Sequence, residues 1–496
     1  MIDLQHVSFT YAGSAHPAVE DLTLHIGKGQ MVVLAGTSGC GKTTVTRLLN
    51  GLIPDCYPGT LTGEVTVCGK NPTEVKTVGM SAYIGSVFQN PKSQFFNINS
   101  RNELAFPLEN RGVPKDDILR IMAETARKLH MEPLVGRNMF HLSGGEKQKI
   151  AFASVSMANS QVLVLDEPSS NLDMEAVRDL RTILQLWKAE GKTIVISEHR
   201  FFFLRDLVDQ LVLMESGKIQ EVYHREQLKT LSAETLHARG LRAMDLVQTQ
   251  KPQGRRNPED KFLELNSLEF TYPETETGIS IQQQQFSRGQ VVAVIGHNGA
   301  GKSTFLRCLS GLQRKTKGEV LLGGQLMKPK KLLEHCAMVM QDVNHQLFSD
   351  SVEHELLSEL KRRKLPKAER NAVTNRWLDR LRLREVREHH PMAISGGQKQ
   401  RLAIATAALS DREIVLFDEP TSGLDYAHML QVSQMITELA DSGKLVFIVS
   451  HDLDLLSRVC DEVVVLEQGR IVDRYPMDSA NSEKLYNWFA ALLGTA

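Results

Sequence analysis

Two stretches of the chain carry the residue types needed to hold a polyphosphate. Gly36, Thr37, Ser38, Gly39, Cys40, Gly41, Lys42, Thr43 and Thr44 contain the pattern GxxxxGK[ST]; Gly296, His297, Asn298, Gly299, Ala300, Gly301, Lys302, Ser303 and Thr304 contain it again. Glycines let successive backbone N–H groups turn inward, which makes an anion nest at a helix N-terminus. The pattern assigns Lys42 and Lys302 to the β- and γ-phosphates, and the Thr43 and Ser303 hydroxyls to Mg²⁺. A chance Gly-rich turn is the bland alternative. Against it, both loops follow short continuous apolar runs, MVVLAG and VVAVIG, of the kind that form buried strands in a mixed or parallel sheet.

Carboxylates recur at matched positions. Asp166 and Asp418 each end a four-residue apolar run, Val162–Leu165 and Ile414–Phe417. An aspartate at the C-terminal tip of a buried strand sits where doubly wound folds bind ligands, and it can hold Mg²⁺ through hard oxygen. Glu167 and Glu419 follow directly. Alternation along a strand would point them away from the aspartates, and they are the candidates to polarise an attacking water. His199 and His451 follow β-rich runs, each 33 residues after its aspartate, where a neutral imidazole can reach a γ-phosphate oxygen. Gln89 and Gln341 could contact the metal or the water, or could be ordinary loop glutamines. Ser143, Gly144 and Gly145, like Ser395, Gly396 and Gly397, precede helix-like runs; from the residues alone they are either nucleotide contacts or flexible helix starts.

These matches reflect one duplication. Lys302 follows Lys42 by 260 residues, whereas Gln341, Ser395, Asp418 and His451 each follow their counterparts by 252. The second copy is therefore shorter by 8 residues between its phosphate loop and its glutamine. The spacing predicts a first domain over residues 1–248, an exposed polar linker over 249–261 (TQKPQGRRNPEDK spans it) and a second domain over 262–496. Each copy opens on alternating residues, LQHVSFTY and LELNSLEFTY, that suit edge strands. Between glutamine and Ser-Gly-Gly lies a helical insert. Pro114 opens a face with Ile118, Met122 and Leu129, and Pro366 opens one with Val373, Trp377 and Leu381. Residues 224–246 have helical character and trail the first domain.

Composition narrows the function classes. Over 496 residues, 58 Lys and Arg oppose 59 Asp and Glu, a balance that leaves no broad basic surface for nucleic acid. No window has the roughly 18 apolar residues needed to cross a bilayer. The first residues lack the charged and apolar regions of a secretory signal. Six scattered cysteines without a CxxC pair suit a reducing compartment. Cys40, beside Lys42 at a helix start, is expected to have a lowered thiol pKa and to be protected from alkylation by nucleotide, or else to serve as a small residue.

The ordered combination resembles the ABC-type ATPases, with LSGGEKQK and ISGGQKQR similar to that family's signature. The resemblance implies an α/β fold with two P-loop NTPase domains. Each would have a mixed-sheet core, an N-terminal antiparallel β region and a helical subdomain. It implies ATP and Mg²⁺ as ligands and an intramolecular head-to-tail pairing of the halves, with Gly36–Thr44 facing Ser395–Gly397 and Gly296–Thr304 facing Ser143–Gly145. Tyr11 and Tyr272 would contact adenine. Asn171, where the second copy has Gly423, is a tolerable variation. A narrower resemblance follows the glutamines. VFQNPKSQFFNINSRNELAFPLENRGV, VMQDVNHQLFSDSVEHELL and SEHR are similar to the ATPases of energy-coupling factor importers. That resemblance implies an integral membrane coupling subunit, a separate substrate-binding membrane subunit, a peripheral position on the cytoplasmic face of the membrane, and a vitamin, vitamin precursor or transition-metal cation as cargo. No nucleic-acid partner is expected. A sugar-importer tandem ATPase and a soluble twin-ATPase translation or nucleic-acid factor are the alternatives; the intact second phosphate loop and the short junction disfavour them.

Overall fold

The computed structural model describes residues 1–170, 172–247, 261–273 and 277–494, without the side chains of residues 91 and 92. Residues 249–260 of the expected linker, and Asn171, lie outside the described residues. The chain divides into two compact units, the first built on Met1–Asp245 and the second on Leu246–Leu424 and His428–Ala490.

In the first unit, β1 (Ile2–Tyr11), β2 (Val19–Ile26) and β4 (Gly59–Val67) form an antiparallel sheet in the order β2-β1-β4. The alternation in β1 therefore belongs to an interior strand, not to an edge. One face of the strand is buried through Ile2, Leu4, Val7 and Phe9, and the other faces outward. A second sheet runs β5-β6-β7-β3-β8-β9, built from β3 (Met31–Ala35), β5 (Ile84–Val87), β6 (Val162–Asp166), β7 (Thr193–Ser197), β8 (Gln210–Glu215) and β9 (Lys218–His224). Its pairs are parallel except β8 with β9. Strands β3, β6 and β7 are buried at every position, as expected of strands covered on both faces.

Helices α1 (Lys42–Leu49), α2 (Leu52–Asp55), α3 (Pro72–Met80), α4 (Ser100–Glu109), α5 (Lys115–Lys128), α6 (Gly144–Met157), α7 (Met174–Ala189), α8 (Arg225–Thr230) and α9 (Ala233–Ala238) complete this unit. Pro114 is the N-cap of α5, which buries Ile118, Met122 and Ala126. The trailing segment forms two short helices, α8 and α9.

The second unit repeats the plan. Strand β10 (Leu263–Thr271) again lies inside its antiparallel sheet, between β14 (Lys317–Leu322) on one side and β11 (Gly278–Ile281) and β12 (Gln284–Phe286) on the other. The hairpin strand β15 (Gln325–Met327) extends that sheet beyond β14. The mixed sheet runs β16-β17-β18-β13-β19-β20, with β13 (Val291–Ile295), β16 (Cys336–Val339), β17 (Ile414–Asp418), β18 (Leu445–Val449), β19 (Glu462–Glu467) and β20 (Arg470–Pro476). Its helices are α10 (Lys302–Leu309), α11 (Pro329–His335), α12 (Val352–Arg362), α13 (Lys367–Arg380), α14 (Gly396–Leu409), α15 (Tyr426–Asp441), α16 (Leu453–Val459) and α17 (Ser482–Leu493). The one-turn α2 has no counterpart between α10 and β14, which accounts for part of the shorter second copy. In α13 the buried residues are Thr374 and Leu378, one position on from the expected Val373 and Trp377. Val373 and Trp377 are half-exposed.

Candidate active sites

Each phosphate loop joins a fully buried strand to the helix that follows. In the first unit Gly36, Gly39 and Gly41 have φ of 153°, 83° and 104°. A side chain on Gly36 would place its Cβ 2.3 Å from the Met214 carbonyl oxygen, so this position admits only glycine. The Lys42 ammonium turns back over the nest, donating to the carbonyls of Gly36 at 2.8 Å and Thr37 at 3.1 Å. Lys302 does the same with Gly296 at 2.7 Å and His297 at 3.0 Å. A buried cation turned onto backbone carbonyls at the mouth of an inward-turned loop is an arrangement that a phosphate would complete.

The carboxylates meet these loops from the strand tips. Asp166 ends β6, and its Oδ1 accepts from Thr43 at 3.2 Å and from Ser197 at 2.5 Å. Burial pushes the Asp166 carboxyl up, while the Ser197 and Thr43 hydrogen bonds pull the other way. Asp418 is likewise pushed up by burial and opposed by its hydrogen bond from Ser303. Thr43 with Asp166, and Ser303 with Asp418, thus supply adjoining hard oxygens, the donor set that suits Mg²⁺. A bound ion there would neutralise charge on the phosphates.

Glu167 and Glu419 are reached by a different route from the expected one. Neither continues its strand. Both have positive φ, 44° and 53°, so a sharp turn rather than strand alternation aims them. The Glu167 N–H donates to the Ser197 carbonyl at 3.0 Å, and that of Glu419 to Val449 at 2.9 Å. His199 Nε2 lies 3.3 Å from Glu167 Oε1, and His451 Nε2 lies 3.5 Å from Glu419 Oε1. Burial pushes the Glu167 carboxyl up, but the hydrogen bond and charge of His199, helped by Lys42, outweigh it and hold the group below the usual carboxylate range.

The glutamines diverge. Gln89 Nε2 donates to Glu167 Oε2 at 2.7 Å, whereas Gln341 is exposed and makes no hydrogen bond to Glu419. The tyrosines hold the helix after each loop: Tyr11 Oη lies 3.1 Å from Thr44 Oγ1, and Tyr272 Oη lies 3.3 Å from Thr304 Oγ1. Ser143 and Ser395 are N-caps of α6 and α14 in reciprocal capping boxes with Glu146 and Gln398. Gly144 and Gly396 face open space, and among the described residues no hydrogen bond ties Ser143–Gly145 or Ser395–Gly397 to the phosphate loop of its own unit.

The lowered thiol pKa expected for Cys40 is not found. The thiol is buried, and that burial raises its pKa against the opposing influence of Lys42. Residues that sequence reasoning passed over are Glu198, Glu103 and Glu355, all buried acids. Glu198 Oε1 accepts from the Ser169 N–H at 2.9 Å, and its Oε2 accepts from the His199 and Arg200 N–H groups at 2.7 and 3.3 Å. Burial pushes Glu198 up, opposed by these hydrogen bonds. Glu103 and Glu355 hold the loops after the glutamines. The one readable signal for them was an acid nine residues after Gln94 and Gln346 in both copies.

The comparisons agree with this geometry. The family described as ABC transporter matches residues 19–170 and 281–422. A Treponema denticola protein provisionally named an ABC transporter ATP-binding protein is 40% identical over 478 residues, covering 95% of this chain and 96% of its own length. One of the same provisional name from Bacillus thuringiensis subsp. konkukian is 31% identical over 509 residues, covering 95% and 90%. A structure of ribosome-bound archaeal Pelota and ABCE1 includes a chain similar in fold, with a TM-score of 0.72 at 22% identity over 98% of this chain and 80% of that one. Two phosphate loops, each beside a strand-tip aspartate and a turn-borne glutamate, together with these matches, place the chain in the ABC transporter family. It is a tandem ABC ATPase: its two domains bind and hydrolyse ATP.

Proposed function

We propose that the chain is the energy-coupling subunit of a membrane importer, of the energy-coupling factor type. The observation that carries this reading is a pair of exposed phenylalanines on loops braced by matching glutamines and glutamates. Gln94 Oε1 accepts from the Phe88 N–H at 3.2 Å, and Gln346 Oε1 accepts from the Met340 N–H at 3.0 Å. Glu103 Oε2 then accepts from the N–H groups of Phe96 and Asn97, and Glu355 Oε2 from those of Phe348 and Ser349. The Phe96 and Phe348 rings stand 76% and 81% exposed. Hydrogen-bonded loops that present a large ring to solvent, each seven residues after its glutamine, suit a partner that must feel nucleotide state.

No described helix is long and apolar enough to cross a membrane. In this reading the partners are an integral membrane coupling subunit and a separate substrate-binding membrane subunit, and the chain sits peripherally on the cytoplasmic face. The cargo is a vitamin, vitamin precursor or transition-metal cation, recognised elsewhere in the complex. Mg²⁺ at Thr43–Asp166 and Ser303–Asp418 and the head-to-tail pairing implied by the family belong to the same proposal. So do the roles of the site residues. Lys42 and Lys302 hold phosphate oxygens, Glu167 and Glu419 orient water and take its proton, and His199 and His451 hold the γ-phosphate.

The test is affinity purification of the intact chain from its native membranes. Multi-spanning membrane proteins should co-purify with the wild type and be lost with the Phe96→Asp/Phe348→Asp variant. Sedimentation with ribosomes in ATP, without any membrane partner, would overturn the proposal.

A further inference from the structure

The two units fasten the loop behind the catalytic glutamate with a carboxylate taken from opposite sides of the histidine. In the second unit the sequence reads Ser450-His451-Asp452. Asp452 Oδ2 accepts from Thr421 Oγ1 at 2.8 Å, two residues beyond Glu419, and its Oδ1 accepts from the Leu455 N–H at 3.3 Å to cap α16. The first unit reads Glu198-His199-Arg200. An arginine stands where the aspartate was, and it cannot accept. Glu198, in the place of Ser450, takes over from the other side: Oε1 accepts from the Ser169 N–H at 2.9 Å, two residues beyond Glu167, and Oε2 accepts from the His199 N–H at 2.7 Å and the Arg200 N–H at 3.3 Å.

One buried side chain, 1% exposed, therefore ties the turn that aims Glu167 to the turn that aims His199. Its two oxygens hold both backbones at once, behind a His199 Nε2–Glu167 Oε1 separation of 3.3 Å. We infer that Glu198 is a positioning residue of the first active site, the counterpart of Asp452 in the second, and that it sets the Glu167–His199 geometry for ATP cleavage. The inference rests on the reading of Glu167 and His199 as catalytic.

The experiment uses the full chain carrying Glu419→Gln, so that cleavage reports on the first site. Single-turnover hydrolysis of radiolabelled ATP and ATP affinity are measured together. Glu198→Ser should lower the cleavage rate about 10-fold while ATP affinity stays within about 2-fold, the mark of lost orientation rather than lost binding. The transplant Ser169→Thr/Glu198→Ser/Arg200→Asp, which rebuilds the second unit's arrangement in the first, should recover the rate to within about 3-fold of the parent. A general packing role would not be rescued by a carboxylate on the other side of the histidine. An unchanged rate in Glu198→Ser would overturn the inference. So would a transplant as slow as Glu198→Ser. If Glu198→Ser does not fold, the transplant decides alone: a rate near the parent supports the inference and a rate at least 10-fold lower overturns it. Glu167→Gln in the same background tests the underlying assignment separately, because undiminished cleavage there would sink that assignment whatever Glu198→Ser does.

Discussion

The first unit holds its glutamate with side chains from two other loops, and the second does not repeat that arrangement. Glu167 takes a hydrogen bond from Gln89 at 2.7 Å and faces His199 at 3.3 Å; Glu419 faces His451 at 3.5 Å and accepts from the His451 N–H at 3.3 Å, while Gln341 stays apart. The carboxylate brace behind each histidine also differs, Glu198 in one unit and Asp452 in the other. Yet the phosphate loops, strand-tip aspartates and positive-φ glutamates superpose residue for residue in role. Duplication has kept the groups proposed to touch ATP and varied the side chains around them, so the proposed chemistry is shared and its coupling to neighbouring loops differs.

Removing a histidine should give the largest effect and test whether the shared chemistry is equal. His199→Ala and His451→Ala, each with the other site silenced, should lower cleavage by about 100-fold. Rapid-quench hydrolysis checks this, and a tenfold difference between the two would show that one site dominates. The loop braces come next. Glu103 accepts hydrogen bonds from Phe96 N, Asn97 N and Asn97 Nδ2, whereas Glu355 accepts them from Phe348 N and Ser349 N. Glu103→Ala should therefore cost about 3 kcal/mol of stability and Glu355→Ala about 2 kcal/mol, read by chemical denaturation. The reverse order would show that the loops are held by other means. Phe96→Ser and Phe348→Ser remove exposed rings and should shift stability by less than about 0.5 kcal/mol, so that any loss of the proposed membrane partner is a loss of contact.

The smallest effect concerns Cys40, where the second unit has Ala300. Burial raises the thiol pKa, so the reactive thiolate is scarcer at neutral pH than in a free cysteine and becomes available only as pH rises. Maleimide at pH 7 should label the exposed Cys56 well before Cys40, and Cys40→Ala should leave ATP cleavage within about 2-fold, as the alanine of the other loop suggests. Rapid nucleotide-sensitive labelling of Cys40 would contradict this.

Much of this architecture was readable because buried parallel strands leave unbroken apolar runs and phosphate nests demand glycine. The aspartates at Asp166 and Asp418 were legible for the same reason. What the residues concealed was direction. A left-handed turn, rather than the strand's alternation, orients Glu167 and Glu419. Strand β1 looked like an edge because one face is polar, but one-faced burial is equally a property of an interior strand in a sheet covered on one side. Glu198 was invisible to motif reading: its role appears only when Ser450 and Asp452 are set against Glu198 and Arg200 and the backbone shows which N–H groups lie within reach.

The central proposal, that each phosphate loop binds ATP and that the glutamate beside it drives cleavage, is tested most directly on the Glu167→Gln/Glu419→Gln chain. Equilibrium binding with Mg²⁺ should count two ATP per chain, and single-turnover cleavage should fall at least about 100-fold below wild type. Cleavage at the wild-type rate, or fewer than two ATP bound at saturation, would contradict it.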